Sequence, residues 1–459
     1  MTALHYLGAL LVLVFITGLG MYSGSRVRSA ADFVDGGKRA GAGIVAGAVI
    51  GTLVGGASTI GTAQLAFNYG FSAWWFTLGG GVACFILACL YAKPLHESGV
   101  STMPQMISRE YGRNAATAAT VLTSLGSFLS IVSQVLSSIA LITSVSALPS
   151  FLAVALTFIL MLAYVLFGGL WGAGLVGVAK TVLLSLSAGI CGVMAVSFQG
   201  GISALTAALP AERYFSLIAR GPAVDMGAGL SLILGVITTQ AYIQAVIAAR
   251  SLRLAKVGLC ISAALIPLIG IAGIAVGLYM KLHFPAIDPA GALPLFVLTF
   301  LPPLYAGMVL AILLVTVVGT AAGVALGLSA MLCSDIYRVY CNPAADSKAL
   351  LTVSRIALAC ILAAAALVTL GNLGSLILGW SFMSMGLRGA VAFGILTAAV
   401  FAPGRIPRAY AVWSMLVGPA CIIAGKPFIS GDVDPLFFGV TGSLAVLVIG
   451  GLAAHGKRR

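Results

Sequence analysis

Apolar residues in this chain follow neither a helical 3.6 repeat nor a strand alternation. They run almost unbroken for about twenty residues at a time, and short polar segments separate the runs. A helix needs about 20 apolar residues to cross the hydrocarbon core of a bilayer. The pattern therefore predicts an all-α integral membrane protein of about thirteen spans. Their limits are near 4–24, 43–67, 72–92, 115–146, 150–168, 170–198, 227–247, 257–282, 302–335, 352–370, 373–402, 407–425 and 434–454. Only "FGGLWG" divides the fifth span from the sixth. Cytoplasmic loops carry the excess of Lys and Arg. With the N-terminus outside, the inner loops hold basic clusters such as Arg250, Arg253 and Lys256. The outer loops hold only Arg213, Arg220, Lys281 and Lys426. This asymmetry predicts a multi-pass protein of the plasma (cytoplasmic) membrane, N-terminus out and C-terminus in.

Composition narrows the function. The chain is 61% hydrophobic and 8% charged, where a soluble domain carries about 25% charged residues. The net charge of +13 taken alone points to nucleic acid, but the basic residues sit in short loops between spans, so no nucleic-acid partner is expected. The eight cysteines are scattered, with no metal-type or disulfide spacing. The first apolar run lacks a cleavage pattern and reads as a retained helix. With no P-loop and no soluble domain, ATP is not expected to drive the protein. One segment breaks the apolar pattern from within. "GTLVGGASTIGTAQLAFNYG", residues 51–70, places glycine, serine and threonine at mid-depth. Small residues there serve either close helix packing or an interrupted helix whose freed backbone groups bind a ligand.

Several motifs decide between these. "SRVRSAADFVDGGKRAG" follows the first span, "STMPQMISREYG" the third and "IQAVIAARSLRLAK" the seventh. "FPAIDPAGALPLFVLTFLPPLYAGMVLA" and "SAMLCSDIYR" fall around the eighth and ninth. Together, and in this order over roughly residues 5–410, they resemble the sodium:solute symporter family. The resemblance implies one transmembrane transporter domain over 1–459 with a leucine-transporter-type (LeuT-type) fold. Two inverted five-helix repeats, 43–198 and 227–402, would each begin with a broken helix, and 407–454 would form two peripheral helices. In such folds the freed carbonyls and amides of broken helices bind ions and substrate near the midplane. Gly55, Gly56 and Gly61 would ease the first break.

The resemblance also implies a sodium site. Its carbonyls would come from Ala57 and Ile60 on the first broken helix. "TVVGTAAG" on the ninth span matches the segment that supplies a carbonyl and two hydroxyls, at Thr316, Gly319 and Thr320. Gly319 has no hydroxyl, which leaves three carbonyls and Thr320, with a water or substrate oxygen to complete the shell. After "YVLFGGL" the family carries Thr-Asp and then a Gln; here Val176, Gly177 and Lys180 stand at those places. An additional sodium site built on that acid is therefore not expected. Lys180 lies about ten residues into the sixth span, ~15 Å at the helical rise. A charge at that depth is costly and usually functional, and a desolvated ammonium gives up its proton more readily than one in water. Lys180 is thus a candidate to replace sodium in a proton-linked cycle; the alternative is a snorkelling side chain.

All eleven acidic residues lie in loops or at span ends, so Lys180 and Arg388 are the candidate buried cations without an acid beside them. A substrate carboxylate would balance Arg388 with bidentate geometry; backbone carbonyls are the other candidate partners. Gln64 matches a sugar-contacting position of sugar-transporting relatives. Their partner glutamate is replaced near Ala83, and their aromatic gate by Gly235 and Val236. Sugar is disfavoured, and a small carboxylated solute (an amino acid, a monocarboxylate or a vitamin acid) is expected. Ser58, Thr59, Gln64, Gln134, Gln240, Tyr242 and Arg388 are the substrate-site candidates. The expected function is a secondary symporter coupling Na+, or H+ through Lys180, to uptake of that solute, with no organic cofactor. A transporter-like solute sensor is the alternative of another class. An enzyme is disfavoured, since the spans hold no His pair, acid pair or paired nucleophile and base.

Overall fold

The computed structural model describes residues 1–24, 40–100, 102–146, 148–168, 175–425 and 433–456. Most of "SRVRSAADFVDGGKRAG" and of "FGGLWG" lies outside them. The described residues are nearly all helical, with one isolated parallel bridge between Ala40 and Ala249. We label the principal helices α1 (Ala3–Gly24), α2 (Ala42–Leu53), α3 (Thr62–Tyr69), α4 (Trp74–Ile86), α5 (Ala92–Glu97), α6 (Met103–Tyr111) and α7 (Arg113–Val145). They continue as α8 (Ser150–Gly168), α9 (Leu175–Phe198), α10 (Pro222–Thr238), α11 (Gln240–Ile247), α12 (Leu252–His283) and α13 (Ala292–Phe300). The last are α14 (Pro303–Met331), α15 (Ser347–Leu370), α16 (Ile377–Phe401), α17 (Arg408–Gly425) and α18 (Leu436–Gly456).

Among the described residues nine helices are long and apolar enough to cross a membrane, or ten with the bent pair α10–α11 counted as one. Thirteen spans were expected. The difference falls on segments such as Ala3–Leu19, Ala42–Leu53 and Ser150–Tyr164, which are apolar but shorter, and on 72–92, which continues from the preceding span within Ala57–Glu97.

Two interruptions shape the centre. After α2 the chain unwinds at Val54–Gly56, re-forms as a π-turn over Ala57–Gly61, and continues as α3. Between α10 and α11 it bends by 47° at Thr239. Around these breaks α7 packs along α16 and α14, α10 lies between α4 and α16, and α12 runs against α2, α4 and α9. Buried Ile50, Val54, Ile60, Ile131, Val236, Ile266, Val317 and Ile395 make one continuous core around both breaks. The pair α17–α18 packs mainly on itself and on α16.

Candidate functional site

The first break is closed by side chains, as a chain in lipid requires. The freed Gly56 amide donates to Gln134 Oε1 on α7 at 2.8 Å. Ser58 Oγ donates to the Gly55 carbonyl at 3.1 Å, and Thr59 Oγ1 to the same carbonyl at 2.9 Å. Ser58, Thr59 and Gln134, all substrate candidates, are therefore engaged by the break itself. Thr59 also borders a narrow apolar crevice that Leu184, Cys191 and Val276 line. The glycines act differently from expectation. Gly56 has ordinary right-handed helical angles, φ −63° and ψ −36°. Its place is set by crowding: a Cβ there would lie 2.3 Å from Ser137 Cβ, and one at Gly55 would lie 2.8 Å from Gln134 Oε1. Glycine at these positions admits α7 rather than relaxing the backbone.

The last turn of α2 crosses α9 through small residues. A Cβ on Gly47 would lie 2.3 Å from Val178 Cγ2, and one on Gly51 would lie 3.4 Å from Gly177 Cα. Gly47 and Gly51 are four apart, so both face α9, a spacing that lets helices approach closely. That approach brings Lys180 onto the break. Its Nζ donates to the Gly51 carbonyl at 2.9 Å, the Thr316 carbonyl at 3.1 Å and Thr320 Oγ1 at 2.8 Å. Lys180 is 6% exposed, so it does not snorkel. The described α9 begins at Leu175, which puts Lys180 only ~7.5 Å along it; its depth is set by its partners.

Two of the five expected sodium-ligand positions, Thr316 and Thr320, thus hold the ammonium. The third partner, Gly51, lies in the last turn of α2, where carbonyls lack helical partners and the dipole favours a cation. Ala57 and Ile60 lie in the π-turn, and the Ala57 carbonyl accepts from Thr62 Oγ1 at 3.4 Å. A Cβ at Gly319 would lie 3.1 Å from Tyr164 Oη, so the α8 phenol packs tightly against this position. Thr316 Oγ1 is buried with no partner among the described residues. Gly51 and Tyr164 were not foreseen. A carbonyl ligand leaves no residue signature, and the tyrosine sits inside an unremarkable apolar run.

Arg388 stands at the second break and is 4% exposed. Its Nε donates to the Ser384 carbonyl at 3.2 Å, and Nη1 to Thr239 Oγ1 at 2.8 Å. Its Nη2 reaches Ser384 Oγ at 2.8 Å and Met385 Sδ at 3.2 Å. Space for its stem comes from Gly126 on α7, where a Cβ would lie 2.6 Å from Arg388 Cγ. Buried Tyr242, on α11, is within electrostatic range of the guanidinium. Gln240 is drawn elsewhere: its Oε1 accepts from the Met103 amide at 2.7 Å, at the start of α6.

Gln64 joins α3 to the start of α16. Its Oε1 accepts from the Ile377 amide at 2.9 Å, and its Nε2 donates to the Ser375 carbonyl at 3.4 Å. It borders a cleft that Thr143, Asp288 and Ser375 also line. Among the described residues the acid pattern holds with one refinement, while Asp32, Asp35 and Asp432 lie outside them. Asp225, in the first turn of α10, is fully buried and paired with Arg220 at 2.6 Å.

Broken apolar helices that present backbone and polar side chains at their interruptions define a polytopic solute transporter. The chain matches the sodium:solute symporter family over residues 33–418, and it belongs to that family. The family is one of sodium:solute symporters. An uncharacterized symporter of Bacillus subtilis (strain 168), YwcA, is 30% identical over 138 residues, 30% of this chain and 27% of that relative. The chain thus aligns with about a quarter of the length of that curated protein. A solved structure of a Na+-coupled sialic acid symporter in a substrate-bound outward-open state aligns with 99% of this chain and 98% of its own, at TM-score 0.81 and 19% identity. The nucleobase-cation-symport-1 family transporter MHP1, in a closed conformation with bromovinylhydantoin bound, aligns with 92% of this chain and 95% of its own, at TM-score 0.58 and 14% identity. At these identities the likeness is one of fold, the leucine-transporter type.

Proposed function

We propose that this protein is a secondary symporter that takes up a small carboxylated solute, an amino acid, a monocarboxylate or a vitamin acid, by alternating access. Arg388 carries this reading. Its guanidinium offers five N–H groups. Among the described residues it makes four bonds, all to neutral oxygen or sulfur atoms. A buried charge without a counter-charge is expensive, and a carboxylate supplies both the charge and a bidentate acceptor. The position favours gating. Arg388 bonds Thr239 at the bend of the second broken helix, so an anion bound there bears on the angle between α10 and α11. Gln134 and the Gly56 amide mark the corresponding point on the first break. Repeats 43–198 and 227–402 would rock against each other about these points, with 407–454 peripheral. The distribution of Lys and Arg supports an orientation with the N-terminus out, and we read the membrane as the cytoplasmic one.

The test is uptake into proteoliposomes of radiolabelled small carboxylates and amino acids beside their uncharged amides. Acids should enter and amides should not. Arg388→Gln should reduce acid uptake by at least ~30-fold, about 2 kcal/mol, the scale for losing one partner of a buried charged bond. Equal uptake of acids and amides, or undiminished uptake by Arg388→Gln, would sink the reading.

A further inference from the structure

We infer that Lys180 is the resident cation of the site between α2 and α14: its ammonium fills the position where a sodium ion is expected, and sodium does not bind there. The inference is independent of which solute the protein carries.

The fit of the ammonium is complete. An ammonium has three N–H groups, and Lys180 has three acceptors within 3.1 Å. Two of them are the Thr316 carbonyl and the Thr320 hydroxyl, oxygens that would otherwise hold the ion. The contact is also built into the helix surfaces. Gly47, Gly51 and Gly177 bring the backbones of α2 and α9 close enough for Nζ to reach the Gly51 carbonyl.

A sodium ion fits poorly while the ammonium is in place: two features thin its ligand shell, which water can complete, and the third, the charge of Lys180, decides. Gly319 gives no hydroxyl, and Tyr164 crowds that position, with its Oη 3.1 Å from where a Cβ would lie. Ala57 and Ile60 lie in a π-turn, with the Ala57 carbonyl already accepting from Thr62. Above all, a sodium ion on the Thr316 and Thr320 oxygens would sit beside the ammonium in a medium of low dielectric, where like charges repel strongly. Among the described residues no acid on the surrounding helices offsets that repulsion, since α1, α2, α8, α9, α12 and α14 contain no Asp or Glu. The other ionisable side chains of these helices are neutral or basic. They are His5, Tyr6 and Tyr22 on α1, Tyr164 on α8, Cys191 on α9 and Tyr305 on α14. On α12 they are Arg253, Lys256, Cys260, Tyr279, Lys281 and His283. One positive charge is therefore what this site accommodates, and the chain supplies it.

The test uses the full-length protein in detergent and no solute. Melting temperature is recorded in sodium chloride and in choline chloride at equal ionic strength, beside equilibrium binding of radiolabelled sodium. A ligand that binds only the folded state raises its stability by mass action. The native protein should show no sodium-specific rise, or one that Thr320→Val leaves unchanged because that ion binds elsewhere. Lys180→Ala empties the position and should gain saturable sodium binding, with a melting temperature several degrees (~2–6 °C) higher in sodium than in choline. If Lys180→Ala does not fold, Lys180→Ser is measured in the same way. A sodium-specific rise in the native protein that Thr320→Val abolishes would overturn the inference. So would a folded Lys180→Ala or Lys180→Ser protein that takes up no sodium. Because no solute is present, these outcomes leave the carboxylate reading untouched, and a failed uptake panel leaves this one untouched.

Discussion

The two cations buried at the breaks are both surrounded by neutral groups, yet their situations differ. Lys180 presents three N–H groups to three oxygens. Arg388 presents five to four neutral acceptors, one of them a sulfur. The first set is matched in number and geometry, so the ammonium acts as a fixed part of the fold. The second has donor capacity and charge left over, which suits a ligand that arrives and leaves. Burial of a charge does not by itself mark a binding site; the balance of donors and acceptors around it does.

Replacing each cation by methionine tests that contrast most directly. Arg388→Met should abolish uptake of the carboxylated solute, with a loss of roughly 30- to 1000-fold in kcat/KM. It should leave the melting temperature unchanged or raised, because an unmatched buried charge is removed. Lys180→Met should do the opposite to stability. Three oxygens lose their donor, and the protein should lose about 2–3 kcal/mol, read as a fall in melting temperature. Equal destabilisation by the two substitutions would erase the distinction drawn between the sites.

The seam that delivers Lys180 comes next in size. Gly47→Val drives a side chain into Val178 and should cost about 2 kcal/mol by forcing α2 and α9 apart. The same substitution at exposed Gly43, which has open space around it, is the control. At the first break, Gln134→Leu leaves the buried Gly56 amide without its acceptor and should cost about 1–2 kcal/mol. Thr59→Ala should be the mildest, below about 1 kcal/mol. Its hydroxyl shares the Gly55 carbonyl with Ser58, and a shared acceptor is not orphaned by losing one donor.

Much of this protein could be read from the chain, for physical reasons that are local. A bilayer demands long apolar runs, so the spans announce themselves, with the division inside 150–198 the least secure. The run of small residues at 51–70 marked the first break only together with the ordered motifs that resemble the symporter family. The absence of acids from the spans singled out Lys180 and Arg388 before any contact was known. Composition and order were enough for these, because each depends only on which residues a segment contains.

Only the tertiary structure decided what those residues do. Ligation by a carbonyl is available to any residue, so nothing in the sequence distinguishes Gly51 from Ala57 as the partner of a cation; the crossing of α2 and α9 does. Gln240 reads as a mid-span polar candidate, yet its side chain serves the start of α6. Ser58 and Thr59 read as ligands, yet they satisfy carbonyls freed by their own break. Gly55 and Gly56 read as hinges, yet they are spaces for Gln134 and Ser137. Side-chain hydrogen bonds go to whichever partner packing brings within about 3 Å, and packing between helices distant in sequence is what the linear pattern does not encode.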